Sequence, residues 1–124
     1  MIKVTIPIKF PTLNDFVEAC KIQRGRWNKG NQMKQDYQRA IYYYVCKLPP
    51  LKPPIVIHYT WIEKNKRRDL DNVSAIGRKF ILDTLQACGK LKNDNLNYVI
   101  GASDSAKFDK DYGVVLEIEE EVKC

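Results

Sequence analysis

The chain has 124 residues, 44% of them hydrophobic and 29% charged, which is enough for one domain to bury a core without disulfide or metal staples. Its net charge of +6 is uneven: residues 1–100 hold 18 Lys and Arg against 8 Asp and Glu, whereas residues 101–124 hold 3 against 7. A basic body with an acidic final segment points to a nucleic-acid partner, and no apolar run approaches the roughly 20 residues of a membrane-spanning helix.

Cys20, Cys46, Cys88 and Cys124 form no C-x-x-C pair, and His58 is the single histidine, so a zinc site has almost no ligands to draw on. The thiols are expected to be free, in a reducing cytosol. The opening Met1–Pro7 is too short and too alternating for a signal peptide, and a cytoplasmic protein is expected.

Ile2, Val4, Ile6 and Ile8 alternate with Lys3, Thr5, Pro7 and Lys9, the pattern of a half-buried strand. Pro7 makes it an edge strand or ends its pairing early. Phe10–Asn14 breaks the alternation. From Lys21 to Lys34 come five cations, no acids, two glycines and Trp27, which reads as an exposed basic loop. Trp27 could stack on an exposed base while Arg24, Arg26 and Lys29 track phosphates; packing of the loop onto the domain is an equal alternative.

Met33–Lys47 is predicted helical, with Tyr37, Ala40, Ile41, Tyr44 and Val45 on one face. The Pro-rich run 48–54 stops it and forms a stiff connector. Ile55–Ile62 is β-branched and aromatic, hence a second strand. His58 within it reads as a structural or surface histidine, with no Ser/His/Asp or Cys/His set around it. A long helix follows from Leu70 or Asp71 to Cys88, with Gly89 placed to cap it and Lys90 and Lys92 suited to its dipole. Its apolar residues cover about half the circumference, wider than one packing face needs, which suggests one surface for the sheet and one for a partner. Asn97–Ser103 and Gly113–Glu119 are expected to close the sheet as an antiparallel pair joined by the loop Asp104–Tyr112. The predicted architecture is one α+β domain over residues 1–124, a mixed four-stranded sheet with two main helices in the order β-α-β-α-β-β.

The chemistry concentrates in Arg67-Arg68-Asp69-Leu70-Asp71-Asn72. Two carboxylates two residues apart can chelate one hard cation through oxygen, and Mg²⁺ takes only one or two protein carboxylates, leaving sites for water and phosphate. Lys64, Lys66, Arg67 and Arg68 would draw a polyanion onto that ion. The competing use of Asp69 or Asp71 is helix capping; Asn72 is a cap or a donor to the pair. Asp94, in Lys92-Asn93-Asp94-Asn95, reads on spacing alone as a turn residue. Asp83 is about 18 Å along the helix from Asp71, too far to share its metal, and suits an ion pair with Lys79 at i, i+4.

With Lys79-x-x-x-Asp83-Thr84-Leu85, Asn93-Asp94 and the opening Ile6-Pro7…Pro11…Asn14, this motif resembles the RusA family of Holliday-junction resolvases over essentially the whole chain. The resemblance implies a small homodimeric, Mg²⁺-dependent endonuclease for four-way DNA junctions, of a kind often encoded by phages or prophages. It implies Asp69, Asp71 and Asp94 as metal ligands and no small-molecule cofactor. The family lysine one turn after the second aspartate is here Ala75. Counting back from Asp83 aligns Lys79 instead, about 6 Å further along the helix, and Arg78 lies nearer the Asp71 face. Lys79 or Arg78 would meet charge on the phosphate. The backbone grip would come from Arg24, Arg26, Lys29, Lys64, Lys66, Arg67 and Arg68, with Trp27 a candidate wedge at the branch point.

Asp71 to Cys88 spans about 25 Å if helical, and six residues return at most about 20 Å, so Asp94 should lie far from Asp69 and Asp71 of its own chain. An antiparallel pair of these helices about a two-fold axis would bring Asp94 of one subunit to the acid pair of the other, with the wide apolar stripe as the contact. The alternatives are another branched- or single-strand DNA nuclease, or a non-catalytic junction-binding protein.

Overall fold

A computed structural model describes residues 1–123. The chain runs β1 (Ile2–Ile6), α1 (Leu13–Cys20), β2 (Gln23–Arg24), β3 (Trp27–Asn28), α2 (Lys29–Val45), β4 (Ile55–Glu63), α3 (Leu70–Ala87), β5 (Val99–Phe108) and β6 (Gly113–Glu119). β1, β6, β4 and β5 form one mixed sheet in that order, and β2 and β3 form a separate small hairpin. The expected α+β class with a mixed four-stranded sheet is what the chain adopts.

Strand β4 sits inside the sheet and sets its sidedness. Ile55, Ile57, Tyr59, Trp61 and Glu63 are buried against the helices, while the intervening residues are only partly covered on the other face. All three helices therefore lie on one side. Trp61 stacks on Tyr59 at 5.5 Å and takes Phe10 edge-on at 5.4 Å, and Phe80 of α3 packs against Tyr37 and Phe16, both at 5.5 Å. Aromatic pairs of this geometry add about 0.5–1.5 kcal/mol each beyond burial.

Four expectations need correction. β5 and β6 do not pair with each other: β5 runs parallel to β4 from Ile55/Val99 to Glu63/Phe108, and β6 lies antiparallel on the opposite side of β4. Strand β5 thus extends through the stretch expected to be loop, and only residues 109–112 cross the end of β4, tied there by the Asp109 amide donating to the Glu63 carbonyl at 3.0 Å. The break after Phe10 holds a helix, α1, started by a capping box in which Thr12 and Asp15 exchange side-chain to backbone bonds at 3.0 and 3.1 Å. The basic stretch is not an open loop: Gly25, at φ 59°, turns the β2–β3 hairpin, and Asn28 caps α2 four residues earlier than expected by accepting the Asn31 amide. Finally, the broad apolar stripe of α3 is covered within the chain, by the sheet on one flank and by α1 and α2 on the other, leaving Val73, Ile76, Phe80, Ile81 and Leu85 all buried. That stripe offers no surface for pairing α3 with a second α3.

Two other expectations hold as drawn. β1 is an edge strand that pairs only with β6 and stops at Ile6, before Pro7. α3 runs to Ala87 with Cys88 as its C-cap, and Gly89 follows at φ 76°, the left-handed position a side chain disfavours. Among the described residues, no helix is long and apolar enough to cross a membrane.

Candidate functional site

The strand-to-helix junction after β4 carries the acid pair. Arg68 folds back over this junction: its Nε and one terminal nitrogen donate to the two Glu63 carboxylate oxygens at 2.7 and 3.0 Å, and the other donates to the Phe10 carbonyl at 2.7 Å. Its guanidinium also lies 5.4 Å from the Tyr112 ring. Both side chains of this ion pair are largely buried, Arg68 15% and Glu63 10% exposed. Arg68 thus anchors the segment that presents the next residue, Asp69.

Asp69 occupies the N-cap position of α3 with extended backbone, yet its side chain makes no capping hydrogen bond. Among the described residues its one side-chain hydrogen bond is with Asn72, whose amide donates to Oδ2 at 3.5 Å. Asp71, in the first turn, is exposed. Among the described residues neither carboxylate forms an ion pair. The adjacent Arg67 is exposed as well, with only its backbone amide bonded, to Asn65. An oxygen-only donor set, solvent-facing and not neutralised by protein cations, fits a hard divalent ion such as Mg²⁺.

Asp94 is not part of that group. It lies beyond the other end of α3, a helix of 18 residues and so about 27 Å long, on an exposed turn in which Asn93 Oδ1 accepts the amides of Asp94 and Asn95. Among the described residues no three Asp, Glu, His or Cys side chains of the chain gather as a metal-binding group.

The helical cations are engaged. Arg78 donates to both carboxylate oxygens of Asp104 and stacks 5.3 Å from the Tyr59 ring. Asp104 also accepts from the Trp61 indole at 2.9 Å. Burial pushes the Tyr59 hydroxyl well above the ordinary tyrosine range, against the opposing pull of the Arg78 guanidinium. Lys79 is 3.9 Å from Asp83, the expected i, i+4 pair, and Lys34 approaches the same oxygen at 3.2 Å. Of the two, Lys79 is the more exposed and the more loosely held.

The remaining basic residues fall into two groups. Arg24, Arg26, Trp27 and Lys29 share the hairpin and the first turn of α2, all exposed, with Trp27 bordering a shallow groove of about 300 Å³. Lys64 and Lys66 belong to the loop that leads to Asp69. There Lys64, Arg68 and also Lys9 converge on Tyr112, at 5.4, 5.4 and 4.7 Å from its ring, and Lys66 lies 5.8 Å from the ring of Phe108. Lys9, Phe108 and Tyr112 escaped the sequence reading because a cation–π cluster assembled from three separate segments leaves no local spacing to detect.

The sheet's open face holds a second constellation that the sequence did not disclose. His58 Nδ1 is 2.6 Å from Ser103 Oγ and its Nε2 is 2.9 Å from Glu119 Oε2, a chain of side chains across β5, β4 and β6. Contrary to expectation, a serine and a carboxylate do meet the histidine. They lie on a flat, half-exposed surface on which Thr60 and Ser105 also face each other, and they act there as a cross-strand tie.

No protein-family model matches the chain, and no curated protein matches it.

Proposed function

We propose that the protein is a Mg²⁺-dependent, structure-specific endonuclease that resolves four-way DNA junctions by paired nicks and works as a homodimer. The observation that carries this reading is the Asp69 carboxylate. It stands where a helix start ordinarily uses an aspartate as its cap, makes no capping bond, and has the unpaired Asp71 beside it. The positive end of the α3 dipole favours both carboxylates, but with no cationic partner among the described residues, and with Lys64, Lys66 and Arg67 just before them, they suit a metal that meets a phosphodiester.

Asp69 and Asp71 would hold the ion, with Asp94 of the second subunit completing its protein ligands. An ion held there would supply an acidified water and neutralise charge on the phosphate. Arg67, Lys64 and Lys66 bind backbone phosphates beside the scissile one, and the hairpin cations Arg24, Arg26 and Lys29 hold a more distant stretch, giving salt-dependent affinity. Trp27 supplies an exposed ring for an unstacked base. Lys79, only loosely tied to Asp83, is the helical cation free to turn toward the phosphate; Arg78 is committed to Asp104.

One observation favours a second reading, a junction-binding protein without catalysis: the nearest helical cations, Arg78 and Lys79, both have acidic partners. Cleavage of a labelled synthetic four-way junction separates the two. Wild type with Mg²⁺ is expected to give symmetric paired nicks, and Asp71→Asn to lose cleavage by at least roughly 100-fold while still binding the junction. Binding by both proteins with cleavage by neither, across several divalent metals, would establish the binder instead.

A further inference from the structure

We propose that the crevice between α2 and α3, toward the end of α3 remote from the acid pair, binds one adenine nucleotide. Thr84, the first α3 residue to line it, is about 20 Å along the helix from Asp71. The site is separate from the acid pair and does not rest on the function proposed above.

The crevice follows from a change in side-chain size along α3. Where the two helices meet, Phe80 stacks on Tyr37 at 5.5 Å and Asp83 approaches Lys34 at 3.2 Å. Beyond that contact α3 presents Thr84, Ala87 and Cys88, spaced to share one face. These short side chains leave a hollow of about 370 Å³, within the range of small-ligand sites. Thr84 Oγ donates to the Phe80 carbonyl at 2.7 Å, and Cys88 Sγ to the Leu85 carbonyl at 3.7 Å. The polar hydrogens of this wall are thus turned into their own helix.

The opposite wall is polar and unengaged. Gln35, Gln38, Arg39 and Tyr42 follow i, i+3, i+4, i+7 spacing, one stripe of α2 about 10 Å long. Among the described residues, the side-chain hydrogen bonds of α2 fall to Gln32, Asp36, Tyr37 and Cys46. Gln35, Gln38 and Tyr42 make none. Tyr42 is 51% exposed and has no aromatic pair among the described residues, whereas Tyr43 packs edge-on against Tyr44 at 5.0 Å. Arg39 reaches Asp36 only at 3.8 Å, and both side chains are more than half exposed.

Together these groups select a ligand. An unpaired tyrosine ring is a platform for a flat base. A glutamine amide, donor and acceptor side by side, matches the N6 and N7 edge of adenine. Arg39 lies one turn from Tyr42, and a guanidinium holds a phosphate through paired charge-assisted bonds. Its single long contact with Asp36 is a weak competitor. The base therefore lies on Tyr42 with its edge toward Gln38 and Gln35, and the phosphate meets Arg39. A purely apolar ligand would strip water from the two amides and replace none of its hydrogen bonds. The same chemistry is offered by a free adenine nucleotide and by an unpaired adenine nucleotide of a strand.

Titration calorimetry of the full chain with AMP, without divalent metal, tests the site. The variants are Tyr42→Ala and Arg39→Gln, with Tyr43→Ala as the control. All three positions are exposed, so the variants are expected to keep the wild-type circular dichroism and thermal midpoint. Wild type and Tyr43→Ala are expected to bind AMP with a Kd below about 1 mM. Tyr42→Ala should weaken binding at least about fivefold, through loss of the base stack. Arg39→Gln should narrow the gap between AMP and adenosine, which lacks the phosphate. A wild-type Kd above about 1 mM, an affinity for inorganic phosphate equal to that for AMP, or binding indifferent to Tyr42→Ala overturns the proposal. A short single-stranded oligoadenylate separates the two sources of the nucleotide. A gain over AMP of at least about tenfold that Tyr42→Ala abolishes assigns the site to a strand; no such gain assigns it to the free nucleotide.

Discussion

Arg68 spends its guanidinium on Glu63, the Phe10 carbonyl and the face of Tyr112, and has little left to offer a phosphate. Its neighbour Arg67 is exposed, with no side-chain bond among the described residues. The two arginines, equivalent in the sequence, therefore separate by experiment. Arg68→Ala strands a buried Glu63 and is expected to lower unfolding stability by about 3 kcal/mol in urea titrations. Adding Glu63→Gln should recover part of that loss. Arg67→Ala should leave stability within about 0.5 kcal/mol of wild type and reduce the salt slope of junction binding by about one. Nothing in the sequence announced the clamp, because Glu63 and Arg68 lie five residues apart across a strand end and a loop, where no fixed periodicity brings side chains together. The acid pair was legible for the opposite reason: Asp69 and Asp71 act locally, and their meaning depends only on the helix they begin.

Helix α3 is legible end to end, since its apolar spacing, its start after Arg68 and its Gly89 stop are all local signals. Its depth against the sheet is not. Gly77 sits in mid-helix with the Trp61 ring so close that a Cβ would overlap it. Trp61 cannot readily yield, because its indole is held by Asp104 and its ring stacks on Tyr59. Gly77→Ala would gain up to about 1 kcal/mol of helix propensity but force a clash costing about 1–3 kcal/mol. A net loss of stability, read from the thermal midpoint, is expected, where the same change on an exposed helix face would be stabilising. The strands show the complementary limit. β4 declares itself by composition, and β5 does so only over its first half; Asp104–Phe108, which reads as loop, is turned to strand by its parallel ladder with β4. α1 could have been found from Thr12 and Asp15, whose capping box precedes Leu13, Phe16 and Val17 at helical spacing.

For the molecule as a whole, the charge asymmetry has a plain structural form. The acidic final segment is no tail: Glu117 and Glu119 lie on β6 in the sheet, and Glu120 and Glu121 turn back to Lys52. The cations gather on the hairpin and on the loop before α3. If a site is shared between subunits, two defective proteins should repair each other. Asp71→Asn and Asp94→Asn, each inactive alone, would on mixing give heterodimers with one complete set of acids and one doubly damaged set. About half the dimers in an equal mixture are of this kind if subunits exchange at random. The expected product is single nicks without paired cuts, seen on a junction labelled in two strands; no recovery on mixing, with subunit exchange verified separately, would defeat the shared site.

The 18 residues of α3 then acquire a further meaning. One helix separates the acid pair at its start from Asp94 past its end. In a two-fold assembly the other protomer's helix repeats that interval in reverse. The length of α3, about 27 Å, would thus be a ruler for the distance between the two cuts. One inserted or deleted turn, about 5.4 Å, would change which phosphates of a junction can be reached together, with every side chain at either site unaltered.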